Sequence, residues 1–584
     1  MPALRKALRF CPGLIWSRAS LAAALRSLGR LDEALAEAEA ASQARPDLAL
    51  TWLSLAETRL VRGEFDATLA ATLSALKIDP AHAEAYRILA AALEGQGFAV
   101  ESLADCGRAL AEHLAAQSIP EPERQARLRD YHLNLAGLCV QWGQHAGAEQ
   151  HYRAALAIDP ECDEARSGML FAANYRPDLA PLAARADAER EAETMRRRRS
   201  QCGFDTHDRD PERPLRIGLV SGDFGRHPVG YFLAGPLAEI DPGQFILHAY
   251  STLVRNDRQT GVLRASIPHW RDVDTLDDDA LIERIRADRI DILIDLAGHT
   301  LHNRMAVFAA RAAPVQVTWL GYFATTGLAA MDWILADPQV LPPAEEAHFC
   351  ERPWRLPDSY YCFAPPTDAI EVAPPPSSRG APFTFGCFNN PAKLNERVIA
   401  LWSRILAGLP GARLLLKYRH YRNPDFVAAM RARFATHGID AERLEFEGET
   451  LRPEYLRAFD RVDVALDPFP YPGGTTTVDG LWMGVPALTL KGDRFIAHQG
   501  ETILTSAGLA DWIARDAEEY VARAIAAARD IDHLTALRAS LRPQILASPL
   551  CDAPRFARNL EAAWRGMWRR WCAEREANHE GNAE

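Results

Sequence analysis

No stretch of this chain approaches the roughly 20 consecutive apolar residues that a membrane-spanning helix needs, so the sequence reads as a soluble, cytoplasmic protein with no membrane partner. No Cys-x-x-Cys pair occurs among its ten cysteines, which are scattered from Cys11 to Cys572. That spacing excludes a zinc ribbon and a disulfide framework, and the thiols read as reduced and mostly buried. Positive charge is not in excess either: 66 Lys and Arg face 78 Asp and Glu, a net charge of −12. A nucleic-acid surface is therefore not its main business. What is present is ordinary globular composition, 48% hydrophobic and 25% charged, over 584 residues. Such a length exceeds one hydrophobic core and implies several domains.

The first domain is a repeat. Gly29, Gly63 and Gly97 stand 34 residues apart, each after an apolar helical stretch. Pro12, Pro46 and Pro80 follow the same period. That period belongs to helix-turn-helix solenoids. The register places the start of the chain inside a repeat, and it explains Arg5, Lys6 and Arg9 before a short apolar patch better than a signal peptide would. A fourth copy, Gly143 and Pro160, follows an insertion around Ile119–Arg124. Alanines and leucines at helical spacing pack the paired helices, and segments such as Tyr152–Pro160 resemble tetratricopeptide repeats. A concave array of this kind holds a peptide or a partner helix. Residues 176–213 form a polar junction whose run Arg196–Arg199 follows Asp187, Glu189, Glu191 and Glu193 at helical spacing, the pattern of a solvated or interface helix.

From Leu215 the pattern changes to short β-branched runs alternating with helical stretches. The expected strands are Arg216–Val220, Phe245–Tyr250, Ile290–Asp295 and Val315–Trp319. After a proline-rich link (Ala364–Pro366, Ala373–Pro376) come Phe383–Cys387, Arg413–Lys417, Val462–Leu466 and Ala487–Leu490. This alternation predicts two doubly wound, parallel-sheet lobes with ligands at the carboxyl ends of the strands. A last helix, Pro554 to about Glu574 with Trp564, Trp568 and Trp571, is expected to pack back onto them, ahead of a disordered charged tail. The expected division is thus 1–175, repeats; 176–213, helical linker; 214–378, first lobe; 379–552, second lobe; 553–584, helix and tail.

One turn carries the chemistry. Val462–Leu466 runs into a Pro/Gly-rich turn that opens a helix through Thr475, Thr476 and Thr477, so free N–H groups and hydroxyls face one point. That arrangement suits a phosphate, although an ordinary strand-turn-helix capped by Thr475 has the same local pattern.

Five blocks in order, Ser221–Pro228, Asp295–Thr300, Ala313–Tyr322, Phe385–Lys393 and Tyr471–Thr477, together with the repeats, resemble the protein O-GlcNAc transferase and SPINDLY family of glycosyltransferases. The resemblance implies a GT-B fold behind a tetratricopeptide α-solenoid. It also implies transfer of a sugar, foremost N-acetylglucosamine from UDP-GlcNAc, to Ser or Thr hydroxyls of acceptor proteins held by the repeats, with inversion. No metal and no cofactor beyond the nucleotide-sugar donor are implied, and Asp277–Asp279 reads as a helix cap. By the same resemblance Lys393 and the Thr475–Thr477 turn meet the charge of the departing diphosphate, and Asp479 binds the ribose. Gly473 and Gly474 admit close backbone approach. His227, held in extended backbone before Pro228, lines the acceptor side as general base or orienting donor, and Asp295 and His299 stand by to assist proton removal. Asn390, Arg452 and Tyr455 occupy nucleotide-sugar positions where O-GlcNAc transferases carry glutamine, lysine and histidine. These departures, and blocks such as Phe469–Tyr471 that lean toward SPINDLY, keep GDP-fucose open as the donor. A scaffold without turnover, and a nucleotide-sugar epimerase or small-molecule transferase on the same two-lobed fold, are the remaining alternatives. The asparagine ladder of such repeats falls at Ser20, Ser54, Ile88 and Asn134, where only one asparagine stands.

Overall fold

The structure, a computed structural model, describes residues 14–27, 29–79, 120–366 and 370–580, with isolated positions between 5 and 92. Gly97, Pro12, Pro80, Cys11, Cys106 and most of the insertion lie outside the described residues, as does the tail beyond Glu580. Contacts divide the chain into two units. One comprises Met1–Ala165 with Tyr418–Thr436 and Phe446–Gly448; the other comprises Arg166–Lys417, His437–Glu445 and Glu449–Glu584.

The first unit is built from helix pairs: Ile15–Ser27 with Leu31–Ala44, Ala49–Val61 with Phe65–Ile78, and Glu121–Gln141 with His145–Ile158. Gly29, Gly63 and Gly143 have φ between 71° and 75°, the left-handed position that ends a helix and is cheap only for glycine. This is why glycine marks the period. Small residues such as Ala22, Ala38, Ala56 and Ala75 are wholly buried, which lets the helices approach closely. Pro120 caps the long helix Glu121–Gln141, so the C-terminal part of the insertion is absorbed into helix rather than loop. Of the ladder positions, Ser54 and Ile88 are buried.

Two sheets organise the second unit. The first contains β1 (Leu215–Ser221), β2 (Phe245–Ser251), β3 (His269–Asp272), β4 (Ile292–Asp295), β5 (Val315–Thr318), β6 (Trp333–Ala336) and β7 (Arg352–Arg355) in the order β3-β2-β1-β4-β5-β6-β7. Every pairing in it is parallel. The second contains β8 (Thr384–Cys387), β9 (Arg413–Lys417), β10 (Leu444–Glu447), β11 (Val464–Leu466), β12 (Ala487–Leu490) and β13 (Ile513–Ala514) in the order β10-β9-β8-β11-β12-β13. Central strands are apolar on both faces, as burial under helices demands; β4 and β5 are fully buried. Strands β3, β6, β7, β10 and β13 escape a sequence reading. Edge strands such as His269–Asp272 and Arg352–Arg355 are partly exposed and carry charge instead of an apolar run.

Three bounds differ from those expected. The contact division falls at 165 where a break at 175 was expected, and Ser167 within helix Asp163–Ala173 and Asn174 just after it bond to the first lobe. The excursion Tyr418–Thr436, expected in the second lobe, groups with the first unit. The last helix runs Ala553–Glu580, past the expected end near Glu574. Its Trp564 and Trp568 are wholly buried, and the Trp568 indole donates to Asp210 O at 3.0 Å. Helix Pro181–Arg197 occupies the junction. Its basic run is spent on ion pairs, Arg196 and Arg197 with Glu193 and Arg199 with Asp278 and Asp279. Asp277 accepts from Ala280 N as a helix cap. Among the described residues no helix is long and apolar enough to cross a membrane, and the described cysteines are free thiols.

Candidate functional site

Strand order reverses between β1 and β4 in one sheet and between β8 and β11 in the other. At such points the segments leaving the strand ends diverge and open a crevice. The His227 loop follows β1, the Asp295–His299 loop β4, the Lys393 turn β8 and the threonine turn β11.

In the second lobe the pieces converge. The Lys393 ammonium donates to Pro472 O at 2.7 Å and to Asn389 Oδ1 at 3.1 Å, and it sits 3.9 Å above the ring of Tyr471. Thr476 donates to the same Asn389 oxygen at 3.2 Å. Burial pulls the Lys393 pKa down to about 8, against the opposing pull of Asp467. Helix Thr475–Trp482 begins after Gly474 with no side-chain cap, and its first internal bond is Val478 N to Gly474 O. The N–H groups before it are left to face outward. Asp467 shapes the turn: its Oδ1 accepts from Gly473 N at 3.2 Å and from Thr477 Oγ1 at 3.0 Å. A Cβ on Gly473 would lie 2.2 Å from Thr477 Oγ1 and 2.6 Å from Thr476 Oγ1, so any other residue there displaces these hydroxyls.

One helical turn on, the Asp479 carboxylate is gripped at both oxygens by Arg452, at 2.7 and 2.6 Å. Asp479 is buried, which raises its pKa, while Arg452 opposes the shift. The paired charges cancel, and the Tyr455 side chain hydrogen-bonds to the same carboxylate. The Arg452 guanidinium also lies 5.4 Å from the Tyr455 ring and 5.7 Å from that of Tyr231, which belongs to the first lobe.

In the first lobe His227 caps helix Pro228–Ala238. Its Nδ1 is 3.4 Å from Val229 N and 3.5 Å from Asp223 Oδ2. Loss of water lowers its pKa, with Asp223 pulling the other way. The ring therefore stays neutral at neutral pH and within reach of a carboxylate.

Asp295 and His299, the other two residues expected to assist proton removal, have their hydrogen bonds taken up within the protein. The Asp295 carboxylate is 1% exposed and accepts from Ala297 N, Gly298 N and Thr318 Oγ1 at 2.9 to 3.0 Å. Both His299 nitrogens are also used: Nε2 faces Thr326 O at 2.9 Å and Nδ1 faces Ser167 Oγ at 3.0 Å. A carbonyl only accepts, so Nε2 carries the proton and Nδ1 accepts from the serine. Burial holds His299 neutral, with its pKa down at about 4. Both side chains shape the loop and have no free valence for a substrate proton. Asn390 accepts from Ala392 N at Oδ1 and so caps the Lys393 turn. Its neighbour Asn389 holds Lys393 and Thr476 instead. Sequence reasoning missed Asn389, Asp467 as the organiser of the turn, and Tyr471 under the lysine; Asn389 and Tyr471 lie inside blocks whose other residues were singled out, and Asp467 directly follows the strand Val462–Leu466.

Residues 192–364 and 380–560, more than half of the chain, match Glycosyl transferase family 41. The chain belongs to that family. A Petunia hybrida protein named as a probable UDP-N-acetylglucosamine–peptide N-acetylglucosaminyltransferase SPINDLY is 37% identical over 432 residues, covering 71% of this chain and 45% of that protein. Its Arabidopsis thaliana counterpart is 38% identical over 373 residues, covering 62% and 40%. A solved O-GlcNAc transferase variant from Thermobaculum terrenum is 32% identical with a TM-score of 0.76, covering 96% of this chain and 98% of that one. The family 41 chain thus spans about half the length of the curated relatives it matches, and nearly the whole of the solved bacterial structure.

Proposed function

We propose that this family 41 chain transfers a sugar from a nucleotide-sugar donor, UDP-GlcNAc in the first place, to Ser or Thr hydroxyls of proteins, with inversion and without a metal or other cofactor. The observation that carries the reading is the convergence of Lys393 and Thr476 on one Asn389 oxygen, in front of an uncapped helix N-terminus. The acceptor oxygen bonds to the anomeric carbon as the bond from that carbon to the diphosphate breaks, and negative charge develops on the leaving group. Fixed N–H dipoles and one ammonium in a dry crevice stabilise that charge better than water does. The hydroxyl proton passes to His227 Nε2 in the tautomer whose Nδ1–H turns from Val229 N to Asp223 Oδ2, 3.5 Å away. Asp479, held rigid by Arg452, receives ribose hydroxyls. The names of the relatives supply UDP-GlcNAc and the peptide acceptor, and the repeat unit is the part assigned to acceptor proteins.

A second reading keeps the chemistry and replaces the donor by GDP-fucose. It is favoured by Arg452 and Tyr455 at base-side positions, with the guanidinium set near the rings of Tyr231 and Tyr455. Incubation with labelled UDP-GlcNAc or GDP-fucose and a protein extract, in the presence of a chelator, separates the two. Transfer to protein is expected, and Lys393→Ala should lower it by about 100-fold, the scale for removing one charge-stabilising donor. Transfer abolished by the chelator contradicts the metal-free chemistry, and undiminished transfer by the variant contradicts the role of Lys393.

A further inference from the structure

Helix Asp163–Ala173 and the segment that joins it to helix Pro181–Arg197 are tied to both lobes. Ser167 Oγ meets His299 Nδ1 at 3.0 Å, and Asn174 Nδ2 donates to the Tyr322 hydroxyl at 3.2 Å, both in the first lobe. In the second lobe Arg494 donates to Arg176 O and to Leu179 O at 2.5 and 2.7 Å. Between these ties stands Tyr175, 7% exposed. Its ring lies 5.1 Å from that of Tyr471, which also meets the Phe323 ring edge-on at 5.9 Å. The ring so boxed is the one whose face carries the Lys393 ammonium at 3.9 Å.

We propose that Tyr175 is a positioning residue of the phosphate-binding turn: with Phe323 it fixes the Tyr471 ring, and through that ring it sets where the Lys393 ammonium sits and keeps water from it. The inference rests on the proposed glycosyl transfer for its kinetic consequence, though its geometric part does not. An aromatic face attracts a cation most when the pair is dry and the ring cannot turn away. A ring free to rotate would lose both conditions. Burial is the main reason the Lys393 pKa lies near 8, and the other groups that act on it are Asp467 and Cys387. Opening one wall of the box admits water and moves that pKa upward, toward the ordinary lysine value.

The test measures the reactivity of Lys393 toward an acylating reagent across pH, by mass spectrometry, in the intact chain and in Tyr175→Phe, Tyr175→Leu and Tyr175→Ala. Half-maximal reactivity is expected near pH 8 in the parent and in Tyr175→Phe, and a pH unit or more higher in Tyr175→Ala. Tyr175→Leu keeps an apolar side chain in the wall and should fold even if the alanine variant does not; it is expected to shift in the same direction. In steady-state transfer, the leucine and alanine variants should lose tenfold or more in kcat with KM for the nucleotide sugar changed less than threefold, and the phenylalanine variant should recover the parent kcat. A residue that only supports the fold would lower the melting temperature and leave the Lys393 titration where it is; that result overturns the proposal. A chain that transfers no sugar from either donor, yet shows the reactivity shift, retains the positioning role and loses the glycosyl-transfer reading. Intact transfer with an unmoved titration does the reverse.

Discussion

Asp295 ends β4 and Asp467 directly follows β11, the strands that flank the two switch points, and burial raises the pKa of each to about 6. Each accepts backbone N–H groups from the turn that follows, at Ala297 and Gly298 in one lobe and at Gly473 in the other. The results differ. The Asp295 loop closes on itself, adds Thr318, and spends His299 on Ser167 and Thr326. The Asp467 turn opens instead: its carboxylate holds Gly473 and Thr477, and the helix N-terminus and Lys393 remain directed at one point. The same device, a carboxylate that folds the turn after a parallel strand, thus makes a wall in one lobe and a charge-binding site in the other.

The sharpest way to break that contrast is at the two glycines of the open turn. Gly473→Ala pushes a methyl into the Thr476 and Thr477 hydroxyls, and calorimetry should show nucleoside diphosphate binding weakened by about 100-fold, the scale for displacing an anion-binding constellation. Gly474→Ala meets nothing nearer than the Tyr361 hydroxyl at 3.9 Å, and its affinity should stay within about threefold, since ordinary contact costs little. The next test is the aspartates themselves. Asp295→Asn turns an amide donor toward N–H groups and should destabilise the fold by about 2 to 3 kcal/mol in denaturant melts, the cost of orphaned buried donors. Asp467→Asn should lose less stability and more nucleotide affinity. Equal losses of both kinds in the two variants would erase the distinction.

The smallest expected effect is in pH. A carboxyl whose folded pKa exceeds its unfolded value near 3.8 binds more protons when folded. Stability from each aspartate is therefore fully present below about pH 4 and is lost as pH rises through about 6. Subtracting the melt curve of each Asp→Asn variant from that of the parent should give a difference that falls across this window. A flat difference would mean that the carboxyl is not buried as described.

Much of this was legible in the sequence because it is local. The period of the repeat glycines follows from one backbone angle, and the central strands announce themselves as unbroken apolar runs. Lys393 and Thr475–Thr477 sit in turns whose composition already points at a phosphate. The bonding of Asp295 and His299 was not legible, because a strand-end carboxylate and histidine look alike whether or not their hydrogen bonds are spent. The partners that spend them, Ser167, Thr318 and Thr326, stand 23 to 132 residues away in sequence. Asn389 and Asn390 are adjacent amides, and only the turn decides which one faces the lysine. Tyr175 gives no local signal at all, since its role depends on a ring almost 300 positions further on.

The central claim is that the open turn and Lys393 form a diphosphate site. Its most direct test is the thermal stability of the purified chain with UDP and with GDP, beside Lys393→Ala. A ligand at about 100 times its dissociation constant stabilises by roughly 2.7 kcal/mol. The account predicts a stabilisation by UDP that is largely lost in Lys393→Ala, and a larger response to GDP would move the donor to fucose. No response to either nucleotide, or an undiminished one in the variant, would contradict it.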